Sequence, residues 1–343
     1  MKLRYSKFRI HLKHTFGISR SKNDWYDIAF IYLIDGHIIG RGEVAPSLRY
    51  NESIGQIISI LEKGISFPED IKNRIKVWEY LRPQLGGIKS LEAAFNMALW
   101  DWWSQVKQVP LFKILKNNND NLPLTSYTIS IGDLSEIGEK LDHANSCSIL
   151  KVKLGTPNLD KLIIEEIRNH TDKLIRVDAN EGWDLETAVD MSKWLYNQNV
   201  EFIEQPFPAN QIEKTVQLKK ISPLDIFADE NSIRSKDIPI IKDAFDGINI
   251  KLMKCGSIEE AQKMIALAKR FDLKIMLGCM VETSIGITAA AHLSSEVDYV
   301  DLDGNLLISN DPYEGVKIKN GHLCISEKNG LGVELISKKR NLL

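Results

Sequence analysis

A regular alternation of short apolar segments with amphipathic segments begins at residue 125, and it restricts the fold more than any other feature of the sequence. The apolar segments recur at intervals of about 20–28 residues and predict eight strands, at 125–131, 149–154, 174–178, 200–204, 225–229, 247–251, 274–277 and 299–303. The segments between them predict helices, among them 159–169, 185–197, 258–271 and 286–293. This alternation is typical of a (β/α)₈-type barrel. An open doubly wound sheet is the alternative, but the chain has neither the GxGxxG nor the GxxxxGKS/T motif that usually marks its first turn.

The first 120 residues follow a different pattern. Segments 28–34 and 38–42 are predicted to be strands joined by a turn at Asp35-Gly36, and 91–106 is predicted to be a helix with a broad apolar face. Pro110 and the asparagine-rich run at 117–121 interrupt the pattern and favour a domain boundary. We therefore expect three parts, an N-terminal α+β domain over 1–120, a barrel over 121–310 and a C-terminal segment over 311–343.

Composition and charge narrow the classes of function. The formal net charge is -2, so the sequence offers no electrostatic footprint for nucleic acid, and the basic cluster at 338–340 is interpreted as a solvated tail. No apolar run is long enough to cross a bilayer, so no membrane partner is expected. The four cysteines are spread singly and the seven histidines lack metal-ligand spacing, which favours a cytoplasmic protein without a disulfide framework or a zinc cluster.

Charged residues stand at the carboxyl ends of six of the eight predicted strands. In a barrel these ends meet at one rim, where active sites collect. Their shared position favours a functional site over a chance arrangement. The residues are Lys151, Lys153, Asp178, Glu204, Asp229, Glu230, Lys251, Asp301 and Asp303.

Three of these acids, Asp178, Glu204 and Asp229, end consecutive strands and are expected to lie side by side. Carboxylate oxygens with room left for water and substrate suit Mg²⁺. Zinc is disfavoured because no histidine or cysteine stands at the matching positions. The alternative is that the acids cap the helices that follow them, but Asn180 and Asn231 are better placed for capping.

Lysines end two predicted strands on opposite sides of the barrel. Lys151 and Lys153 are two residues apart, so their side chains point to the same face. If that face is the lumen, like charge and burial are expected to depress a lysine pKa and make one lysine a base; the alternative is a solvated pair at a sheet edge. Lys251 ends the sixth strand, across from the second, and a base on each side of a substrate carbon suits proton transfer through a metal-stabilised enediolate. Lys254 lies beyond the strand end and is interpreted as structural.

Asp301 and Asp303 repeat the same-face spacing on the last strand with two negative charges. Their strand is expected to lie too far around the barrel for them to join the metal cluster easily. Two carboxylates that line a pocket favour a cationic group on the ligand, such as an ammonium. The alternative is a turn or a helix cap before Gly304.

Short motifs at the strand ends follow one another in a recognisable order. They are Lys151-Val-Lys153, Asp178-Ala-Asn180, Ile203-Glu204-Gln-Pro206, Ala228-Asp229-Glu230, Asn249-Ile-Lys251-Leu-Met-Lys254, Gly278-Cys-Met280-Val-Glu282 and Asp301-Leu-Asp303. This set resembles the enolase superfamily, in its muconate-lactonizing-enzyme subgroup, and within it the dipeptide epimerases. Segment 90–115 also resembles the last helices of that family's capping domain.

The resemblance implies a (β/α)₇β TIM-like barrel with an α+β capping domain, formed by the N-terminal part and the C-terminal tail. It implies Mg²⁺ as the cofactor and a dipeptide of the L-Ala-Xaa type as the substrate, epimerised at its C-terminal residue. Proteins with such barrels often form homo-oligomers. The implied metal ligands are Asp178, Glu204 and Asp229, and the implied acid–base pair is Lys153 and Lys251. The residues implied to contact the dipeptide or tune the site are Thr128, Lys151, Cys279, Asp301 and Asp303.

The sequence departs from the family pattern in two places. Ser257 follows Gly256 where the family often has two glycines, which leaves the catalytic lysine unaffected. The loop at 15–27, which closes over the substrate in relatives, carries Arg20 and Lys22 beside two aspartates. A pairing of Arg20 with a glutamate side chain of the substrate is therefore an open expectation.

Two other functions remain open from the sequence. An o-succinylbenzoate synthase or a cycloisomerase on the same scaffold would keep the metal ligands and the lysines, but it would not need Asp301 and Asp303. A non-catalytic protein that binds a metal or a small ligand would not require two lysines placed opposite each other.

Overall fold

The computed structural model describes residues 1–120 and 122–336. The strands in chain order are β1 (Lys2–Ile18), β2 (Ser21–Asp35), β3 (Ile38–Val44), β4 (Tyr127–Ile129), β5 (Ile149–Lys153), β6 (Leu174–Asp178), β7 (Val200–Glu204), β8 (Asp225–Ala228), β9 (Gly247–Lys251), β10 (Lys274–Gly278), β11 (Tyr299–Asp301), β12 (Tyr313–Glu314), β13 (Lys317–Lys319), β14 (His322–Cys324) and β15 (Glu334–Leu335). The α-helices are α1 (Ile54–Glu62), α2 (Arg74–Leu81), α3 (Lys89–Val106), α4 (Leu111–Ile114), α5 (Ile137–His143), α6 (Pro157–His170), α7 (Leu185–Tyr196), α8 (Ile212–Lys219), α9 (Ile238–Ile241), α10 (Leu252–Cys255), α11 (Ile258–Arg270) and α12 (Ser284–Ala291).

Strands β4 to β11 form a parallel sheet in which each strand pairs with the next along the chain. An isolated parallel bridge between Thr125, just before β4, and Val300 in β11 brings the two edges of the sheet together. The predicted barrel is therefore confirmed, and the eight observed strands overlap the eight predicted segments. All residues of β5 and β9 are buried, because helices cover the outer face of the sheet and side chains fill the lumen.

The N-terminal part is an antiparallel sheet, β1–β2–β3, that packs on helix α3. Gly40 and Gly42 allow strand and helix to approach closely, since a Cβ at either position would lie 2.1 Å from Ala98 O or 1.9 Å from Ala94 O. The hairpin predicted at 35–36 is confirmed.

The expected loop at 15–27 is largely strand instead. Backbone pairing of β1 with β2 continues to Ile18 and Ser21, leaving only a tight turn between them. The sequence does not predict this two-stranded ribbon, because neither face of the part of the ribbon nearest the turn is apolar.

The capping domain is joined to the barrel at the N-termini of two barrel helices, α11 and α12. The side-chain oxygen of Asn96 on α3 accepts a hydrogen bond from Ile258 N, at the start of α11, over 2.9 Å. Glu43 on β3 accepts from Thr283 N at 2.8 Å and Gly286 N at 3.1 Å, at the start of α12. These buried acceptors satisfy N–H groups that have no partner within their own helices. The cap is therefore fixed over the loops that follow β9 and β10.

The C-terminal segment returns to the cap. The hydroxyl of Tyr313 on β12 lies 2.9 Å from that of Tyr32 on β2, and Leu331 N donates to Asp101 on α3 over 2.8 Å. The predicted cap of N-terminal part and C-terminal tail is confirmed, whereas the boundaries at 120 and 310 stay a prediction. Residue 121 and the basic cluster 338–340 lie outside the described residues. Within the described part of the chain, no helix combines the length and apolar character needed to cross a membrane.

Candidate active site

Three buried carboxylates meet at the carboxyl ends of β6, β7 and β8. Asp178 and Glu204 end their strands, and Asp229 follows β8 directly. One carboxylate oxygen of each lies within 4.8 Å of the others. Their relative exposures of 0%, 0% and 2% leave little water to screen them. Burial and the charge of Asp178 therefore raise the pKa of Glu204 above its ordinary value.

The chemistry of this carboxylate triad fits a hard divalent cation. It offers three oxygen ligands and contains neither histidine nor cysteine, the donors that zinc prefers. The alternative assignment to helix capping does not fit, because the N-cap residues of α7, α8 and α9 are Asp184, Gln211 and Asp237. The residues of the triad are therefore free of that duty, and they are the ones that could hold Mg²⁺.

The expectation that Asn180 and Asn231 cap helices is wrong. Asn231 donates to Ala209 O over 2.9 Å and so links two loops of the rim. Asn180 N donates to Asp178 in a tight turn with a φ of 44° at Asn180. The helices that follow begin several residues after these asparagines, so Asp184 is the N-cap residue of α7 and Asp237 is that of α9.

Lys153 and Lys251 approach the triad from opposite sides. Lys153 Nζ lies 2.7 Å from Asp178 Oδ2, and Lys251 Nζ lies 2.8 Å from Asp229 Oδ2. Their strands, β5 and β9, are four positions apart in the ring of eight and therefore face each other across the lumen. Both lysines are buried, with 8% and 6% of their surface exposed.

Lys151 shares the lumen face with Lys153, as its spacing predicted. Its Nζ lies 2.7 Å from Glu204 Oε2 and 2.7 Å from Asp301 Oδ2. The pKa depression expected for one lysine of this pair is not found at Lys151. Burial does disfavour the ammonium form, but Asp301, Glu204 and Asp178 outweigh burial and raise the pKa well above its ordinary value. The spacing of Lys151 and Lys153 in the sequence reports the neighbouring lysine but not the acids that lie around the lumen.

Carboxylates likewise dominate on the other side of the triad. Burial opposes the charge of Lys251, yet Asp229, Glu204 and Asp178 together outweigh burial and raise the Lys251 pKa. Burial also opposes ionisation of Asp229, but Lys251 and Lys254 hold its pKa well below the ordinary value.

Lys254 reaches into the site although it stands beyond the end of β9. The short helix α10 turns the chain back, and Lys254 Nζ lies 2.5 Å from Asp229 Oδ1, 2.6 Å from Asp229 O and 2.9 Å from Asn249 O. The i+3 spacing from Lys251 is the helical signal that could have revealed this position. Burial lowers the Lys254 pKa despite the attraction of Asp229.

The aspartate pair of β11 divides into two environments. Asp301 bonds with Lys151 and accepts from Ser126 Oγ at 2.6 Å. As expected, Asp301 is not part of the carboxylate triad, and among the described residues it is connected to Glu204 only through Lys151. Asp303 accepts from Thr128 N at 2.5 Å, and burial followed by the charge of Asp301 raises its pKa to about 7.

Cys279 is the first residue after β10 and lies next to the aspartate pair. Its Sγ donates to Asp301 O over 3.3 Å, and burial raises the pKa of its thiol well above the ordinary value. The neutral thiol is a small, weakly polar lining residue next to Asp301 and Asp303.

The tip of the β1–β2 hairpin rests on the barrel rim. Arg20 donates to Asn180 O over 2.9 Å and to Glu230 Oε1 over 2.7 Å. Arg49, from the loop after β3, forms a bidentate pair with Glu181, both distances being 2.7 Å. The guanidinium of Arg20 is thus engaged by the protein's own acceptors.

The fold and these clustered carboxylates and lysines define an enzyme of the capped β/α-barrel class. Residues 136–339 match the family described as "Enolase C-terminal domain-like", and the chain belongs to the enolase superfamily.

Similar proteins of known name support this assignment. An L-Ala-D/L-Glu epimerase of Bacteroides thetaiotaomicron is 38% identical over 340 residues, which cover 97% of this chain and 88% of that protein. An L-Ala-D/L-amino acid epimerase of Flavobacterium johnsoniae is 36% identical over 342 residues, which cover 98% of this chain and 100% of that protein. The crystal structure of a dipeptide epimerase from Cytophaga hutchinsonii, complexed with Mg and the dipeptide D-Ala-L-Val, superposes with a TM-score of 0.89 at 27% identity, covering 98% of this chain and 96% of that one.

Proposed function

We propose that this protein is a Mg²⁺-dependent dipeptide epimerase that inverts the α-carbon of the C-terminal residue of a dipeptide of the L-Ala-Xaa type. The observation that carries the proposal is the placement of Lys153 and Lys251 against opposite members of one carboxylate triad. Inversion at a carbon requires a proton to leave one face and another to arrive at the opposite face. Two lysines on one side would not serve that purpose.

Asp178, Glu204 and Asp229 are the proposed metal ligands, and Lys153 and Lys251 are the proposed acid–base pair. In one direction Lys153 Nζ removes the α-proton and Lys251 Nζ delivers a proton to the other face. The reverse reaction exchanges the two roles. When bound, Mg²⁺ would offset the charge of Asp229 that favours the ammonium form of Lys251, and would stabilise negative charge developing on the substrate carboxylate.

Lys151 has a separate proposed role. It is tied to Glu204 and Asp301 by ion pairs of 2.7 Å. Asp301 is not a proposed metal ligand, so its charge would still hold Lys151 as an ammonium with Mg²⁺ bound, and Lys151 serves as a fixed positive charge that tunes the site and does not itself accept a proton.

Recognition of the free amino group is proposed to fall to Asp303 and Asp301, with Thr128 and Cys279 lining the same wall. Asp301 is already paired with Lys151 at 2.7 Å, whereas Asp303 forms no ion pair within the described part of the chain. An incoming ammonium would therefore gain most from Asp303, which it would draw into the ionised form. This need for an ammonium separates the proposed reaction from that of an o-succinylbenzoate synthase.

The test is a panel of L,L dipeptides incubated with the enzyme and Mg²⁺ in deuterated water, with deuterium uptake measured by mass spectrometry. We expect uptake at the C-terminal α-carbon of one or more L-Ala dipeptides, loss of uptake in excess chelator, and none for N-succinyl amino acids, which lack the ammonium. Lys161→Ala, at an exposed surface lysine, is the control variant and should behave as wild type. No uptake from any member of a broad panel would contradict the proposal.

We also propose a cytoplasmic location and assembly into homo-oligomers. The four cysteines are free thiols, which suits a reducing compartment. Cell fractionation and light scattering of the purified protein would test the two statements separately.

A further inference from the structure

The buried amide of Asn249 contacts a proposed metal ligand two strands away in the barrel. Asn249 lies on β9, two residues before Lys251, and is 0% exposed. Its Nδ2 donates to Glu204 Oε1 over 2.7 Å, while Lys151 Nζ lies 2.7 Å from Glu204 Oε2. Strand β8 separates β7 from β9, so this bond joins two strands that do not pair with each other. One oxygen of Glu204 therefore accepts a hydrogen bond from Asn249, and the other forms an ion pair with Lys151 without a hydrogen bond from any described residue.

The orientation of this amide is determined by its partner. Turning it over would place Oδ1 against the carboxylate, where two acceptors would repel each other. In the observed orientation Asn249 Oδ1 has no hydrogen-bond partner among the described residues, although it is buried. Leaving a buried acceptor unpaired has a cost, and the bond from Nδ2 to a charged carboxylate is the interaction that offsets it.

Gly278 provides the space for the amide. It ends β10 and stands opposite Lys251 in the strand pairing. A Cβ at this position would lie 2.4 Å from Asn249 Oδ1, 2.8 Å from Nδ2 and 3.0 Å from Cγ, and these are its three nearest atoms. A side chain at 278 would thus act on the site by displacing Asn249.

We propose that Asn249 is a positioning residue that orients Glu204 for Mg²⁺ and that Gly278 is required to accommodate it. This inference rests on the proposed metal site. A neutral amide suits the task, because it fixes the carboxylate without adding a positive charge that would compete with a dication. Four lysines already surround the same carboxylates, so a fifth cation at 249 would oppose metal binding.

The experiment measures Mg²⁺ affinity by calorimetry and by competition with Mn²⁺, without peptide. Asn249→Ala is expected to raise the Kd for the metal about tenfold or more, as loss of groups that orient metal ligands usually does. At saturating Mg²⁺ the exchange rate should recover to within about threefold of wild type, since the catalytic groups remain. Ile250→Val, at the next position of the same strand with its side chain on the other face, is the matched control and should leave the Kd unchanged.

Gly278→Ala supplies an independent test that keeps Asn249 in place. It should weaken metal binding in the wild-type background and add little in the Asn249→Ala background, because the clash it creates is with Asn249. The inference is overturned if both single variants fold and bind metal with the wild-type Kd, or if Gly278→Ala has its full effect without Asn249. A wild-type protein that binds no Mg²⁺ at millimolar concentration also overturns it. A wild-type protein that binds Mg²⁺ but exchanges no dipeptide proton contradicts only the proposed function.

Discussion

The two sides of the carboxylate triad use the same residue types in different arrangements. On the first side, Lys153 pairs with Asp178, and the second lysine, Lys151, comes from strand alternation and turns mainly to other acids. On the second side, Lys251 pairs with Asp229, and the second lysine, Lys254, comes from a helical turn and binds the same carboxylate. Asp229 is therefore clamped by two ammonium groups.

This difference teaches that the two proposed bases are not equivalent. Asp178 has one close lysine at 2.7 Å and a second at 3.5 Å, so its carboxylate is less neutralised than Asp229. Both aspartates have lowered pKa values despite burial, but only that of Asp229 is lowered well below the ordinary range. Substitutions on one side should therefore affect one direction of proton transfer more than the other, and substitutions at the centre should affect both.

The largest effect is expected for Glu204→Gln, at the centre of the triad. An amide removes the charge that the metal requires, so exchange from both configurations should fall by at least about a hundredfold. Deuterium uptake from the L,L and L,D forms of one dipeptide measures both directions. Glu201→Gln, at the opposite end of the same strand and paired with Arg176, is the control and should retain activity. Loss of only one direction would show that Glu204 does not serve both sides.

A smaller effect is expected for Lys254→Met, which removes one of the two clamps on Asp229. Hydrogen bonds to charged groups are worth about 1.5–3 kcal/mol, so exchange that depends on Lys251 should fall about tenfold or more. Exchange that depends on Lys153 should fall by less than about threefold, because Asp178 keeps its partner. Lys263→Met, at an exposed position on α11, is the control. An equal decrease in both directions would remove the distinction between the two sides.

The smallest effect is expected for Glu282, near Lys251, and the quantity that changes is the free energy of unfolding. Burial and the charge of Glu43 raise its pKa to about 8, from an ordinary value of 4.5. The folded state therefore holds a proton that the unfolded state has lost between these values, so the free energy of unfolding should fall as pH rises through that window. Glu282→Gln stays neutral and should be more stable than wild type by about 1–3 kcal/mol at pH 9, with a smaller difference at pH 5.5.

Urea unfolding at the two pH values measures this difference directly. The exposed Glu296 provides a control variant, Glu296→Gln, that should show no comparable pH-dependent gain. The same gain at both pH values would mean that Glu282 does not carry a buried proton.

The barrel was predictable because its strands are buried on both faces and appear as apolar runs. The same feature made Asp178, Glu204 and Lys251 conspicuous, since a charge at the end of an apolar run has few structural explanations. Contacts that depend on what lies across the lumen were not predictable. The bond of Asn249 to Glu204 joins strands that do not pair, and no periodicity in the sequence reports such a neighbour.

The direction of the Lys151 pKa shift was not predictable from the sequence for the same reason. The neighbour of Lys151 on its strand is visible in the sequence, whereas Asp301, 150 positions later in the chain, determines the charge state of Lys151 together with Glu204. The position of Lys254 in the site depends on the turn of α10, which the strand pattern does not predict. Local spacing predicts which face of a strand a residue occupies. Its pKa depends on the charged residues that other strands of the closed barrel place around it.

The central claim is that Lys153 and Lys251 serve opposite configurations of one carbon. The most direct test compares deuterium uptake by Lys153→Ala and Lys251→Ala, each from the L,L and the L,D forms of the same dipeptide at saturating Mg²⁺. Each variant should lose about a hundredfold or more from one configuration and much less from the other, with the pattern reversed between the two variants. Equal losses from both configurations in both variants would contradict the two-base account.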